Sequence, residues 1–206
     1  SDFVFAFFGA ALLGAVVVPI NARFKRRELA HVIPDGDLKV IMTSDIVADH
    51  VDFVALLHES LPGLASADDP AHLELEEAPL LQSVVLFGDR TPAGMLGRED
   101  FAAFADGVDA AEVERERLRV RVRDIGLMPY TSGTTSHPKG CLLTHEAVVR
   151  DWFAAGEVFD FGPDDVFWDP CPLFHMSGIG PLLFSFGAGG TFITLTHFDP
   201  STAMAQ

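Results

Sequence analysis

Positive charge, cysteine and tyrosine are scarce in this 206-residue chain, which has fourteen Lys and Arg, two Cys and one Tyr. Against thirty Asp and Glu, those cations leave a formal net charge of −16. A phosphate backbone would be repelled from most of such a surface, so no nucleic-acid partner is expected and any phosphate site has to be local. Cys141 and Cys171 cannot build a disulfide framework or a multi-thiolate metal site. Their apolar neighbours predict two small buried hydrophobes in a reducing, cytoplasmic setting. The chain also has no internal repeat and no low-complexity tract. With 49% apolar residues it is not disordered throughout, and it can build one sizeable core or two small ones.

One run of about eighteen residues carries no charge, from Phe3 to Ile20, near the lower limit for crossing a bilayer. Gly9 and Gly14 interrupt it, Val16, Val17 and Val18 are β-branched, and Pro19 cannot continue a helix. These residues favour a buried helix joined at Gly14 to a buried strand over a transmembrane span. Asp2 stands where a secretory leader has basic residues. The chain starts without Met inside this apolar element and reads as a piece of something longer.

Further along, Arg23 to Ile33 reads as a helix and Lys39 to Thr43 as a strand. Asp45 is the expected cap of a helix over 46–58. Pro, Gly, Ala and acidic residues from Leu61 to Pro79 predict a loop or poorly ordered insertion. Strand composition returns at Ser83 to Phe87, and Glu99 to Ala105 is a short amphipathic segment. Glu112 to Arg123 mixes charges of both signs and reads as a solvated face rather than an anion site. Strands at Ile125–Tyr130, Val166–Trp168 and Thr191–Leu195 alternate with helices from His145 and over Ile179–Phe186. Repeated β-then-α units predict an α/β fold with mostly parallel sheets flanked by helices.

The segment richest in chemistry is Tyr130-Thr131-Ser132-Gly133-Thr134-Thr135-Ser136-His137-Pro138-Lys139-Gly140. Hydroxyls, two glycines and one cation lie within it. A loop of this kind turns backbone N–H groups inward, adds hydroxyl donors and supplies with Lys139 the positive charge the rest of the chain lacks, so a polyphosphate is its natural ligand. A Walker A loop would need Ser or Thr after its Gly-Lys, whereas Gly140 and Cys141 follow Lys139. A plain Ser/Thr/Gly linker has no reason to continue through Pro-Lys-Gly into a helix whose N-cap would be Thr144, with Glu146 in its first turn. His175, one imidazole among apolar residues, would by itself read as a core side chain. With Cys171 it makes no zinc set. Trp152, Phe153 and Phe159 read as packing, and His145 as part of the helix start.

The 130–140 segment closely resembles the signature loop of the adenylate-forming superfamily, commonly Tyr-Thr-Ser-Gly-Thr-Thr-Gly-x-Pro-Lys-Gly, with Ser136 in place of the usual Gly. Two other stretches are similar to that family: Ala11 to Asn21, like its early helix and strand, and Pro172-Leu173-Phe174-His175 with Gly178 and Gly180, like its acyl-pocket segment. Pro-Leu-Phe-His is more typical of the acyl-CoA synthetase branch than of peptide-synthetase domains. The resemblance implies that residues 1–206 are a partial N-terminal AMP-binding domain, lacking the C-terminal domain and its adenylation Lys. It also implies an acid–thiol ligase that turns a carboxylic or fatty acid, ATP and coenzyme A into acyl-CoA, AMP and pyrophosphate, with Mg²⁺ as cofactor. Thr131, Ser132, Gly133, Thr134, Thr135, Ser136, Lys139 and Gly140 would then bind the nucleotide. Thr131 would also touch the metal, and His175 would act at the acyl carboxylate. A homodimer is one expected state. The alternatives are a non-catalytic nucleotide-binding module and an adenylation domain that loads a carrier protein.

Overall fold

The computed structural model describes residues 2–131, 137–196 and 199–203. Its first sheet has three parallel strands in the order β1 (Val40–Thr43), β2 (Ser83–Leu86), β3 (Leu96–Gly97). Val40 pairs with Ser83 and Val85 with Leu96. All four residues of β2 are buried, as expected of a central parallel strand covered on both faces. Helices α2 (Arg26–Asp35) and α3 (Phe53–Ser60) pack beside this sheet and bury Leu29, Val32, Ile33, Val54 and Leu57 with Ile41, Val84 and Leu86.

Two local readings are corrected here. The helix expected over 46–58 begins only at Phe53, where the Asp52 carboxylate accepts the Val54 and Ala55 N–H groups at 3.1 Å each. Asp45 does not cap it: residues 46–50 form turns, with Ala48 N–H on Asp45 O at 2.9 Å, and the Asp45 carboxylate accepts Arg90 Nε at 3.1 Å. The 61–79 stretch is not a loose insertion. Leu61, Leu64, Leu73, Leu75 and Ala78 all enter the first core, around a 3-10 turn at Leu64–Ser66. The leucines are spaced too irregularly to show a helical or strand period, so their burial was hidden in the sequence.

After β3 come α4 (Arg98–Ala103) and α5 (Ala110–Arg119). Helix α5 buries none of its residues and carries Glu114–Arg117 and Glu116–Arg119 pairs, so the mixed-charge stretch is a solvated face. Two short antiparallel ribbons follow, β4 (Ile125–Leu127) with β7 (Leu143–Thr144) and β5 (Tyr130–Thr131) with β6 (Lys139–Gly140). Beyond them, α6 (His145–Val158) packs on α7 (Met176–Ala188), which connects the parallel strands β8 (Val166–Asp169) and β9 (Thr191–Thr194). Helix α8 (Pro200–Ala203) is the last described element.

The apolar N-terminal run forms α1 (Asp2–Leu12), whose Phe7 joins Leu127, Val148, Ile179 and Leu183 in a second, smaller core. Its expected strand is reduced to one bridge: Val17 N–H donates to Gly126 O at 3.0 Å, and Met128 N–H donates to Val17 O at 2.8 Å. Val16 stays 43% exposed, because only one side of this segment meets β4. Among the described residues no helix is long and apolar enough to cross a membrane. The cysteines also differ from expectation. Cys141 is exposed on the way out of β6 and Cys171 is half-buried in a Pro-flanked turn.

Helices α6 and α7 approach closely at Gly180. A Cβ there would fall inside the Trp152 indole, so the absence of a side chain lets the two helices meet. Ile179 and Leu182, on either side of it, are fully buried.

Candidate active site

The two ends of the hydroxyl-rich loop are joined by the β5–β6 ribbon. Tyr130 pairs with Gly140 and Thr131 with Lys139, and Cys141 N–H donates to Pro129 O at 2.9 Å. Thr131 Oγ1 donates to Lys139 O at 3.4 Å, and both residues are exposed. The remaining predicted phosphate ligands, Ser132, Gly133, Thr134, Thr135 and Ser136, lie outside the described residues. Among the described residues the Lys139 ammonium has no ion pair, so on this strongly acidic chain it is a cation available to an incoming anion. Gly140 is held tightly, since a Cβ there would lie 3.0 Å from Met128 Sδ and 3.3 Å from the Tyr130 ring.

Helix α2 holds both arms of this hairpin, a feature the sequence did not reveal. The Tyr130 hydroxyl donates to Asp35 Oδ2 at 2.7 Å, and the ring is buried in the first core. Burial, followed by the bond to Asp35 and the charges of Asp35 and Asp37, pushes the phenol above its ordinary range, which keeps it a donor. On the other arm, His31 Nε2 lies 3.1 Å from Pro138 O. A carbonyl only accepts, so Nε2 carries the proton. The His31 ring also lies against that of His137, with centroids 4.5 Å apart and planes tilted by 36°. The available signal was His31 and Asp35 at i and i+4, which puts them on one helix face. It gave no hint of a partner about a hundred residues away.

The exit of the hairpin behaves as its composition predicts. Thr144 is the N-cap of α6 and accepts the Ala147 N–H at 3.1 Å, with Glu146 in the first turn. His145 begins this helix with its ring against Gly126, and its Nε2 is buried without a partner among the described residues.

His175 sits at the N-cap of α7 with its imidazole exposed and 5.2 Å from the Phe174 ring, so it is not a core histidine. Its carbonyl accepts the Gly178 and Ile179 N–H groups at 2.9 Å each. Gly178 allows this turn, since a Cβ there would lie 2.5 Å from Pro172 O. Among the described residues no hydrogen bond or ring contact joins His175 to Thr131, Lys139 or Gly140. A cavity of about 300 Å³ lies elsewhere, walled by Phe7, Leu12, Leu127, Val148 and Leu183 with Arg117 among its lining residues. No group of three or more His, Cys, Asp or Glu able to hold a metal occurs among the described residues.

The chain belongs to the AMP-binding enzyme family, whose profile it matches over residues 1–206. It is 28% identical over 198 residues to the long-chain-fatty-acid–CoA ligase FadD13 of Mycobacterium tuberculosis, covering 96% of this chain and 33% of that protein. It is also 28% identical over 210 residues to the crotonobetaine/carnitine–CoA ligase of Citrobacter koseri, covering 100% of this chain and 36% of that protein. The inhibitor-bound N-terminal domain of FACL13 from Mycobacterium tuberculosis superposes with a TM-score of 0.69 at 25% identity, covering 99% of this chain and 44% of that one. The chain thus spans about a third of the length of the curated relatives it matches.

Proposed function

We propose that the intact protein is an ATP-dependent acyl-CoA synthetase, and that residues 1–206 are the part of its N-terminal domain that carries the phosphate loop and the start of the acyl site. The observation that carries this reading is the Thr131–Lys139 pair, which places at the base of the hairpin a cation with no ion pair among the described residues. In the first half-reaction a carboxylate oxygen attacks the α-phosphorus of ATP, and the bond from that phosphorus to the α,β-bridging oxygen breaks, so pyrophosphate leaves with that oxygen. An anion then approaches a polyanion, so the reaction needs charge held in place. Lys139, the backbone N–H groups of 132–136 and of Gly140, and the hydroxyls of Thr131, Ser132, Thr134, Thr135 and Ser136 would hold the β and γ phosphates, with Gly133 as the position that needs no side chain in the way. In the second half-reaction the coenzyme A thiolate attacks the acyl carbonyl and AMP leaves. His175 is assigned to the acyl carboxylate, at the turn that opens α7.

Mg²⁺ fits this site as a companion of the triphosphate. It keeps several waters and binds largely through the substrate phosphates, so the exposed Thr131 hydroxyl would be its contact from these residues, no His, Cys, Asp or Glu cluster occurring among the described ones. When bound it would offset phosphate charge.

The test is to incubate the intact protein with ATP, coenzyme A and a panel of short, long, branched and aromatic carboxylates. Acyl-CoA, AMP and pyrophosphate should appear together, and Lys139→Ala should raise the KM for ATP. AMP release without thioester would favour carrier-protein loading. ATP binding without pyrophosphate release would favour a non-catalytic module. Either result overturns the synthetase reading.

A further inference from the structure

Helix α2 is remote in sequence from the loop it touches. His31 and Asp35 lie one helical turn apart on the same face, and each reaches a different arm of the hairpin: Asp35 the entry, through the Tyr130 hydroxyl at 2.7 Å, and His31 the exit, through Pro138 O at 3.1 Å. Helix α2 is itself fixed, because Leu29, Val32 and Ile33 on its other side are buried in the first core. The His31–His137 ring contact adds a third point of attachment, within two residues of Lys139. We propose that α2 is the clamp of the phosphate loop, with His31 and Asp35 as positioning residues that hold the two arms of the 130–140 hairpin and so fix where Lys139 meets the nucleotide.

The proposal rests on the reading of 130–140 as a phosphate loop, and its physical basis is preorganisation. Fixing backbone around a polyanion costs conformational freedom. Anchoring both ends on a packed helix removes part of that loss before the ligand arrives. The β5–β6 ribbon alone would not do this, since two-residue strands carry few hydrogen bonds. His31 does not touch the reacting atoms. It acts through the backbone of Pro138.

In the intact protein, His31→Phe keeps a ring against His137 and removes the N–H, whereas His31→Gln keeps a donor and removes the ring. Loss of one hydrogen bond of this kind should raise the KM for ATP about three- to tenfold in His31→Phe, with the KM for the carboxylate and the melting temperature little changed. His31→Gln should stay within about twofold of wild type by the same reasoning. Amide hydrogen exchange across residues 130–141 should accelerate in His31→Phe and in Tyr130→Phe, which loses only the hydroxyl on Asp35 and serves if the first variant does not fold. Exchange and KM equal to wild type in both variants would overturn the clamp, as would a lowered melting temperature with an unchanged KM for ATP. Lys139→Ala separates the two readings: if it leaves ATP affinity unchanged the phosphate-loop reading fails, while the exchange measurement still decides whether α2 holds the hairpin.

Discussion

The region built on β1–β2–β3 and the region built on α6, α7 and β8–β9 use similar amounts of apolar sequence to different ends. In the first, α2, α3 and the 61–81 segment enclose a contiguous core in which Val32, Leu64, Val84 and Leu86 are sealed from solvent. In the second, the buried cluster is small, while Phe5 at 75%, Phe159 at 67% and Phe186 at 49% exposure lie on α1, just after α6 and on α7. Among the described residues the β8–β9 sheet has two strands, with Val166 and Ile193 exposed. Apolar composition is therefore not a measure of a finished core. What differs is how many elements converge, and a two-stranded sheet with one helix pair leaves apolar surface uncovered. The β5–β6 ribbon lies at the seam: Tyr130 is buried in the first core, and β7 hands the chain on to α6 in the second.

The comparison is broken most severely by core substitutions. Leu86→Ala, at a position with no solvent exposure, should destabilise the first region by about 2–5 kcal/mol through lost burial and a residual cavity. Chemical denaturation should show the midpoint fall with little change in slope. The matching strike in the second region is Gly180→Val, whose methyls would have to displace the Trp152 indole, at a cost of roughly 1–3 kcal/mol. If Gly180→Val cost nothing, the α6–α7 contact would not be the close fit described here.

At the seam, Tyr130→Phe removes one hydroxyl and leaves Asp35 to water, so about 0.5–1.5 kcal/mol should be lost. The effect should appear as a fall in melting temperature far smaller than that of Leu86→Ala.

A weaker effect depends on pH. Asp169, 2% exposed at the end of β8, accepts the Cys171 N–H at 2.8 Å on Oδ1, while Oδ2 is buried without a partner among the described residues. Burial raises its carboxyl above the ordinary 3.8, against the opposing pull of the Cys171 bonds. With the folded value above the unfolded one, the folded state holds the proton longer, so this contribution to stability is complete below about pH 4 and is lost as pH rises through the folded value. Asp169→Asn does not titrate. Its melting temperature relative to wild type should therefore climb between acid and neutral pH, and a pH-independent difference would rule out this origin.

How much of this was legible in the sequence depended on whether a pattern was local. The Thr144 cap, the β2 strand, the solvated α5 and the alternation of strands and helices were all readable, because period, cap residue and charge lie within a few positions of each other. The leucines of 61–81 were not, since tertiary contact rather than periodicity buries them. Asp45 misled because two acidic residues seven positions apart both make sound caps; Arg90 bonds both of them, and it is the turns over 46–50 that move the helix start to Asp52. For the candidate site, a contiguous motif singled out Thr131, Lys139 and Gly140 in the sequence, and the structure brings Thr131 opposite Lys139 and Tyr130 opposite Gly140. His31 and Asp35 were not, since no local signal links α2 to the loop.

The smallest effect on stability should come where the second region is most open. Phe159 follows α6 with its ring about 6.0 Å from Phe184 and mostly in water, so Phe159→Ser forfeits little burial and should shift stability by less than about 0.5 kcal/mol. The same substitution removes a large ring from a face that also presents Val158 at 82% exposure, and contiguous apolar surface of this kind drives association. Sedimentation of the 206-residue chain over a range of concentrations should therefore show weaker self-association for Phe159→Ser than for wild type at nearly equal melting temperature. Substituting a buried residue such as Leu64 in the first region should instead lower the melting temperature. If Phe159→Ser lowered stability as Leu86→Ala does, the face would be part of a closed core and the contrast between the two regions would fail.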